Sequence, residues 1–250
     1  MSSVIRKLHS LSWYRHGLHK CALRSRVLAS SSFSHLWLER SVRILCGRLL
    51  ERNVSDPEMK VVGVVGSKKG GNTETLTQIA LEEIRKEGLK IELISLANKN
   101  IAPCDGCRSC VETGKCHLKD DFQSVFRKMK KADGIILASP VYYSAASPQM
   151  VSLISRFYST RKGNPFKHKV GGPIVVGRRA GHNFTFAQLM FFFMIKEMIV
   201  PGSTYWNVAF GRNRGEVLKD KEGIVTVKNF ARNVAWLIKK INTRKTARRR

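Results

Sequence analysis

Apolar runs and stretches of helical spacing alternate along the chain from residue 59 to residue 241. Residues 61–65 form a β-branched run, as expected of a parallel strand that is buried on both faces. Residues 73–86 repeat apolar side chains at the spacing of an amphipathic helix. The same pattern predicts strands at 61–65, 91–96, 134–138, 173–176 and 205–208, and helices at 73–86, 122–132, 147–158, 184–195 and 227–241.

Strands that alternate with helices indicate a parallel sheet with helices on both faces. Five such strands fit the order 2-1-3-4-5, so we predict an α/β flavodoxin-like three-layer sandwich over residues 59–241. The dinucleotide-binding strand order is the competing interpretation. It requires Gly-x-Gly-x-x-Gly after the first strand, and the chain lacks that pattern there.

The two ends of the chain carry much of its positive charge. The chain has 45 Lys and Arg against 18 Asp and Glu, a net charge of +27. Residues 1–58 form a basic extension with three open interpretations: a reading frame that really starts at Met59, a disordered extension, or an organellar transit peptide. Residues 242–250 form a basic tail. Because no nucleic-acid motif accompanies this charge, we expect no nucleic-acid partner.

The most apolar stretch of the predicted domain, residues 184–195, is about 12 residues long, against the roughly 20 that a membrane-spanning helix needs. We therefore predict no membrane span. The consecutive Phe191, Phe192 and Phe193 in this stretch favour a buried helix or a subunit interface, and we predict a homodimer or tetramer.

The turn after the first strand, residues 66–73, has the composition of a phosphate site, and we call it the glycine-rich loop. It reads Gly-Ser-Lys-Lys-Gly-Gly-Asn-Thr and leads into the first helix, so N–H groups, hydroxyls and the helix N-terminus can face an anion. Such a loop suits a terminal phosphate, as on FMN. The alternative is a glycine-rich turn without a ligand.

The third strand ends in residues 139–148, which read Ser-Pro-Val-Tyr-Tyr-Ser-Ala-Ala-Ser-Pro, and we call this segment the tyrosine loop. Small residues and two tyrosines at the carboxyl end of a strand form a flat, partly apolar slot, which suits a flavin ring. A packed aromatic loop is the alternative.

Four of the six cysteines lie between residues 97 and 120, a polar segment that we call the cysteine loop. They form Cys-x2-Cys-x2-Cys-x5-Cys, a compact spacing typical of iron–sulfur ligation. Zinc sites usually consist of two Cys-x2-Cys pairs separated by a dozen or more residues, and this spacing is more compact. Zinc and an empty redox-thiol loop remain the alternatives to a [4Fe–4S] cluster. The candidate ligands are Cys104, Cys107, Cys110 and Cys116.

These motifs together resemble the flavodoxin-like NAD(P)H-dependent FMN reductases, and within them the iron–sulfur flavoproteins. The resemblance extends over about residues 59–241, and Ala-Asp-Gly-Ile-Ile-Leu-Ala-Ser-Pro-Val-Tyr at 132–142 contributes to it. It implies that residues after the fourth strand, the arginine loop (178–182), close the other side of the flavin. The candidate contacts there are Arg178, Gly181 and His182. The resemblance also implies that the FMN phosphate is held in the glycine-rich loop, by Ser67, Lys69, Gly71, Asn72 and Thr73. It implies that the ring is lined by the tyrosine loop, through Pro140, Val141, Tyr142, Tyr143 and Ser144.

Two features depart from the usual family pattern. The glycine-rich loop is about one residue short and carries two lysines, which leaves its individual phosphate contacts open. The helix after the tyrosine loop has Ser155 before Arg156, where relatives often have Asp. This change weakens any role for that acid but leaves Arg156 available.

The resemblance implies an FMN-dependent oxidoreductase that takes electrons from NAD(P)H and passes them to a flavin, a quinone or another acceptor, directly or through a cluster. It assigns no catalytic side chain, because the chemistry resides on the cofactor. The alternative is an electron-transfer protein reduced by ferredoxin. The clustered cysteines favour a reducing compartment, so we expect a cytoplasmic protein, or an organellar one if residues 1–58 are a transit peptide.

Overall fold

The computed structural model describes residues 58–157 and 163–247, with side chains up to residue 243. The strands are β1 (Lys60–Val65), β2 (Lys90–Ser95), β3 (Gly134–Pro140), β4 (Val170–Gly177) and β5 (Val208–Phe210). The helices are α1 (Asn72–Lys86), α2 (Ser109–Thr113), α3 (Phe122–Lys131), α4 (Pro148–Ser155), α5 (His182–Ile195) and α6 (Lys221–Ala247), with a 3-10 turn at Glu216–Lys219.

The five strands form one parallel sheet in the order β2-β1-β3-β4-β5. This confirms the predicted flavodoxin-like fold. The central strands β1, β3 and β4 are buried along nearly their whole length, since helices cover both faces. The strand order places the carboxyl ends of β1 and β3 side by side, where loops from neighbouring strands can build one site.

Two apolar cores lie on opposite faces of the sheet. On one face, Leu76 and Leu81 of α1 pack with Phe230 and Val234 of α6. On the other face, helices α3, α4 and α5 contribute a cluster of aromatic and aliphatic side chains. Its fully buried members include Phe122, Met129, Leu153 and Phe193. The central strands are thus fixed from both sides, and their loops extend from a rigid base.

Several predicted element bounds are wrong. The fifth strand starts at Val208, not at residue 205, because its pairing with β4 begins where Val208 lies opposite Val175. Strand β4 extends over Val170–Gly177, beyond the predicted 173–176. Helix α5 begins at His182, two residues before the predicted start at residue 184. The cysteine loop is not wholly irregular, because it contains α2.

The last helix starts six residues before the predicted position and extends beyond residue 241. Its first turn contains Gly223, whose N–H donates to the carboxylate of Asp220 at 2.9 Å. This capping contact stabilises a helix start that has no apolar pattern. The helix continues to Ala247, so the first part of the predicted basic tail is helical.

Helix α4 ends at Ser155, three residues before the predicted end at residue 158. Two predictions fall outside the described residues: the interpretation of residues 1–57 and the last residues of the tail, 248–250. Within the described part of the chain, no helix combines the length and apolar character needed to cross a membrane.

Candidate functional site

Loops from four strands extend from the carboxyl edge of the sheet. The glycine-rich loop follows β1, the tyrosine loop follows β3, and the arginine loop follows β4. A fourth segment, residues 211–215, follows β5. Ligands of open α/β sheets bind at this edge, so the structure brings the predicted loops to the expected place.

The glycine-rich loop leaves the N-terminus of α1 available for an anion. Gly71 is the N-cap and supplies no side-chain hydrogen bond, so no side chain of the loop occupies the amide groups of the first turn. The Ser67 hydroxyl donates to the Lys68 carbonyl at 3.2 Å, and Lys68 and Lys69 are exposed. Thr73 is buried. The loop thus offers an uncapped helix end beside two cations, which is suitable for a phosphate.

Asn72 has a role that the sequence pattern did not reveal. Its amide nitrogen donates to the Asn213 carbonyl at 2.8 Å, and its side-chain oxygen accepts from the Gly215 N–H at 2.8 Å. The side chain therefore fastens segment 211–215 onto the glycine-rich loop. A Cβ placed on Gly70 would collide with the guanidinium of Arg214, so this arginine lies directly against the loop. Segment 211–215 was missed because nothing in its sequence marks it as a ligand site.

The tyrosine loop turns sharply within four residues. The backbone groups of Tyr142 and Ala145 exchange hydrogen bonds of 2.8 and 3.0 Å. Tyr143 and Ser144, between them, have positive φ angles of 50° and 62°. Residues other than glycine rarely adopt this backbone conformation, and such strain is concentrated at functional sites. The turn leaves both tyrosine rings exposed at the sheet edge.

Glycines allow the loops to approach closely. Gly181, with φ of 88°, lies against the tyrosine loop, because a Cβ there would meet the Ser144 Oγ at 2.6 Å and the Val141 Cγ1 at 3.0 Å. Gly66 lies against Ser147, whose Oγ would be 2.5 Å from a Cβ at that position. The glycine-rich, tyrosine and arginine loops therefore form one continuous surface.

His182 and Arg178 lie in different environments although both belong to the arginine loop. His182 is 5% exposed, packs on the Phe210 ring with centroids 4.4 Å apart, and its Nε2 lies 3.1 Å from the Ala209 carbonyl oxygen. It connects the start of α5 to β5 rather than lying open on the surface. Arg178 and Arg179 are exposed. Pro140 and Val141 are half-buried beneath the tyrosines.

The cysteine loop surrounds a separate cavity of about 340 Å³. All four predicted ligands are free thiols and line this cavity, with Cys110 buried and the others more accessible. The C-terminal end of α4 forms the opposite wall, where the Ser155 hydroxyl accepts from the Cys104 N–H at 3.1 Å. The structure therefore brings together all four cysteines that the motif selected.

Asp105 shapes the first turn of the cysteine loop. Its carboxylate accepts the Cys107 N–H at 3.2 Å, and its other oxygen lies 2.6 Å from His117 Nε2. These contacts, the Cys107 N–H first, lower the pKa of Asp105 to about 2. The Cys107 thiol is close enough to complete an exposed Asp-Cys-His set whose ligand atoms lie within 4.8 Å of one another.

The crowding of thiols shows in the electrostatics of Cys110. Burial raises its pKa, and the proximity of the three other cysteine sulfurs, Cys116 first, raises it further. Four thiolates in one cavity repel each other, and a bound metal centre removes that repulsion. The donor set of four sulfurs on one cavity fits an iron–sulfur cluster.

Residues 59–213 match the family model described as NADPH-dependent FMN reductase. The chain belongs to this FMN reductase family. Within the family it groups with the iron–sulfur flavoproteins. It is 41% identical over 191 residues to an iron–sulfur flavoprotein of Methanocaldococcus jannaschii, covering 73% of this chain and 99% of the relative. A Methanosarcina thermophila iron–sulfur flavoprotein is 32% identical over 187 residues, covering 73% and 97%.

Solved structures agree with the fold of this FMN reductase family member. A flavodoxin-like, WrbA-like protein from Agrobacterium tumefaciens superposes with a TM-score of 0.54 at 13% identity, covering 73% of this chain and 98% of the other. RosB, solved with bound 8-demethyl-8-formylriboflavin-5'-phosphate, superposes with a TM-score of 0.61 at 15% identity, covering 74% and 81%. At these identities the similarity concerns the fold alone.

Proposed function

We propose that this chain is an FMN-dependent oxidoreductase that accepts electrons from NAD(P)H and delivers them to a flavin, quinone or other acceptor, with a [4Fe–4S] cluster as a second redox centre. Family membership supports the coarser part, an FMN-binding oxidoreductase. The observation that carries the proposal is the convergence of an uncapped helix N-terminus and an exposed tyrosine loop at one sheet edge.

The phosphate of FMN would be held at the glycine-rich loop. Asn72 and Thr73 begin α1, and their backbone N–H groups and the helix dipole offer partial positive charge there, whereas the N–H of the N-cap Gly71 donates to the Lys68 carbonyl at 3.2 Å. The exposed Lys69 and Arg214 supply the compensating charge for a dianion. Asn72 contributes by holding Arg214 in place, in addition to its backbone N–H.

The ring of the flavin would lie against the tyrosine loop. Backbone groups of residues 140–144 border the slot, and the half-exposed Tyr142 offers an aromatic face. Arg178 and the Gly181 backbone would close the opposite side, while His182 supports that side from beneath. Bound FMN supplies two-electron chemistry with a nicotinamide and one-electron chemistry with a cluster.

Helix α4 joins the two redox sites. It starts directly after the tyrosine loop, with Ser147 as its N-cap accepting the Met150 N–H, and it ends at the wall of the cysteine cavity. Its eight residues correspond to a length of about 12 Å. The chain itself therefore provides a short, rigid connection between the proposed flavin and cluster sites.

A spectrum of the purified protein tests the proposal. We expect flavin absorption bands that bleach when NADPH or NADH is added without oxygen. A single-turnover reduction experiment measures the rate, and released FMN is quantified after denaturation. If neither nucleotide bleaches the flavin bands, the proposed NAD(P)H reductase activity is wrong. If the protein is colourless and takes up no FMN, the proposed flavin site is wrong.

A ferredoxin-reduced electron carrier is the second candidate function. Six exposed cations lie on the loops at the carboxyl edge of the sheet, a charge distribution that favours an acidic protein partner. They are Lys68, Lys69, Arg178, Arg179, Arg212 and Arg214. Stopped-flow reduction by ferredoxin and by NADPH, compared on the same protein, separates the two functions.

We also propose that the protein forms a homodimer or tetramer through α5. Phe191, Met194 and Ile195 of this helix are 66%, 65% and 76% exposed. Phe191 and Ile195 also border a groove of about 800 Å³ between α4 and α5. A solvent-exposed apolar patch of this kind is typical of a protein–protein interface. We expect Phe191→Asp to lower the mass measured by light scattering to that of a monomer, while exposed Trp236→Asp on α6 leaves it unchanged. A monomeric wild type would contradict the proposal.

A further inference from the structure

The side chain of Arg156, directly after α4, is completely buried. Arginine is almost never fully buried unless it is paired. Here it forms one wall of the cavity that the four cysteines line.

The guanidinium holds both arms of the cysteine loop. Nη1 donates to the Ala102 carbonyl at 2.9 Å, on the arm before the cysteines. Nη2 donates to the Leu118 carbonyl at 3.5 Å, on the arm after them. Asp120 accepts from both nitrogens, at 2.6 Å from Nη1 and 3.4 Å from Nη2. One planar group thus closes the loop at its base, a geometry that lysine cannot reproduce.

Asp120 is fixed from its other side as well. The N–H groups of Ala102 and Phe122 each donate to its carboxylate at 3.0 Å. Burial by itself raises the pKa of Asp120, but the hydrogen bonds from Arg156 and from these N–H groups outweigh it and lower the pKa. The carboxylate is therefore ionised, and the ion pair persists at neutral pH.

The positive charge also faces the sulfur ligands. Arg156 lines the same cavity as Cys104, Cys107, Cys110 and Cys116, so its guanidinium charge faces the space between the four sulfurs. The guanidinium lies over the Phe122 ring, 4.8 Å from its centroid, which fixes its plane. Arg156 thus faces the predicted cluster site and also holds the loop backbone.

We propose that Arg156 is a positioning residue for the iron–sulfur site: it clamps the base of the cysteine loop onto α4 and places a fixed positive charge at the wall of the cavity that the four cysteines line. Groups that orient metal ligands and donate hydrogen bonds to sulfur control both metal retention and redox potential. The cluster part rests on the proposed function, whereas the clamp is a property of the chain without any cluster.

Thiol alkylation of the cluster-free protein tests the clamp. We expect Arg156→Lys to accelerate alkylation of the buried Cys110 by about tenfold or more, because lysine keeps the charge and loses the fork. The matched control is Arg232→Lys, which alters an ion pair with Glu83 on another part of the surface. Alkylation of Cys110 at the wild-type rate in Arg156→Lys would overturn the clamp.

The cluster potential tests the charge. We expect the double variant Arg156→Met with Asp120→Asn, which leaves no unpaired buried carboxylate, to bind the cluster about 10- to 100-fold more weakly. The cluster that it retains should have a lower reduction potential, because Arg156 lines the cavity and Asp120 does not, so the lost positive charge outweighs the lost negative charge. The single variant Arg156→Lys, which keeps the positive charge, should have the wild-type potential. A wild-type potential in the double variant would overturn the charge role. If the wild type holds no iron, the proposed cluster fails, and the alkylation rates still decide the clamp.

Discussion

Replacing Gly181 by alanine should weaken FMN binding by about 30- to 150-fold, equivalent to roughly 2–3 kcal/mol. Gly181 has a φ of 88°, where a Cβ costs about 1–2 kcal/mol in an L-residue. The added methyl group would also meet the Ser144 Oγ at 2.6 Å and the Ser144 Cα at 3.0 Å. A fluorescence titration, in which protein quenches FMN emission, measures the affinity.

The expected loss arises because the methyl group separates the arginine loop from the tyrosine loop. The Ser144 Cα is a backbone atom and cannot move aside like the end of a flexible side chain. The backbone at Ser144 must therefore shift, together with the side chain of Val141. Tyr143 and Ser144 already have positive φ angles and little freedom to adapt. The proposed slot for the flavin ring would therefore widen or twist.

Gly88→Ala is the matched control. Gly88 has a φ of 84°, and no atom lies within 4 Å of a Cβ placed there. This variant carries the same backbone strain without a collision, so urea unfolding should show a loss of stability while FMN affinity stays at the wild-type value. Equal FMN affinity in Gly181→Ala and Gly88→Ala would show that the tyrosine and arginine loops do not form the ring site.

The central strands were predictable because burial on both faces requires uninterrupted apolar residues. β1 and β3 begin within one residue of their predicted positions and end within two. The start of the edge strand β5 could not be predicted, because Tyr205 and Trp206 have high strand propensity but lie half exposed, outside the hydrogen-bonded ladder. The position of an edge strand depends on its register with the neighbouring strand, which a local pattern does not contain.

The site was predictable where its residues are contiguous. The glycine-rich loop, the tyrosine loop and the cysteine motif each form one short segment, and the fold brings each to a surface suited to its proposed ligand. Contacts between distant segments were not predictable: Asn72 bonds to residues 213 and 215, and Arg156 bonds to Asp120. His182 shows the same limit, because only the folded chain reveals that its imidazole is buried against Phe210.

Replacing Cys110 by serine should remove nearly all of the iron and sulfide from anaerobically purified protein, while bound FMN is unchanged. A [4Fe–4S] centre carries about four irons on four thiolates. Cys110 is the buried thiol of the cavity, and a serine hydroxyl does not ionise to replace a thiolate there. Because the change is nearly isosteric and the flavin loops lie elsewhere, the FMN content should stay equal to that of the wild type.

Iron, zinc, sulfide and flavin measured per protomer distinguish the three interpretations of the cysteine loop. About four irons with sulfide in the wild type identify a cluster. Zinc without sulfide identifies a structural metal site. The absence of both iron and zinc identifies a redox-thiol loop. Cys46→Ser is the control, since this cysteine lies outside the motif. If Cys110→Ser retains the wild-type iron content, Cys110 is not a ligand. A loss of iron in Cys110→Ser with FMN retained would show that the two cofactor sites are built independently, as their separate positions on the fold require.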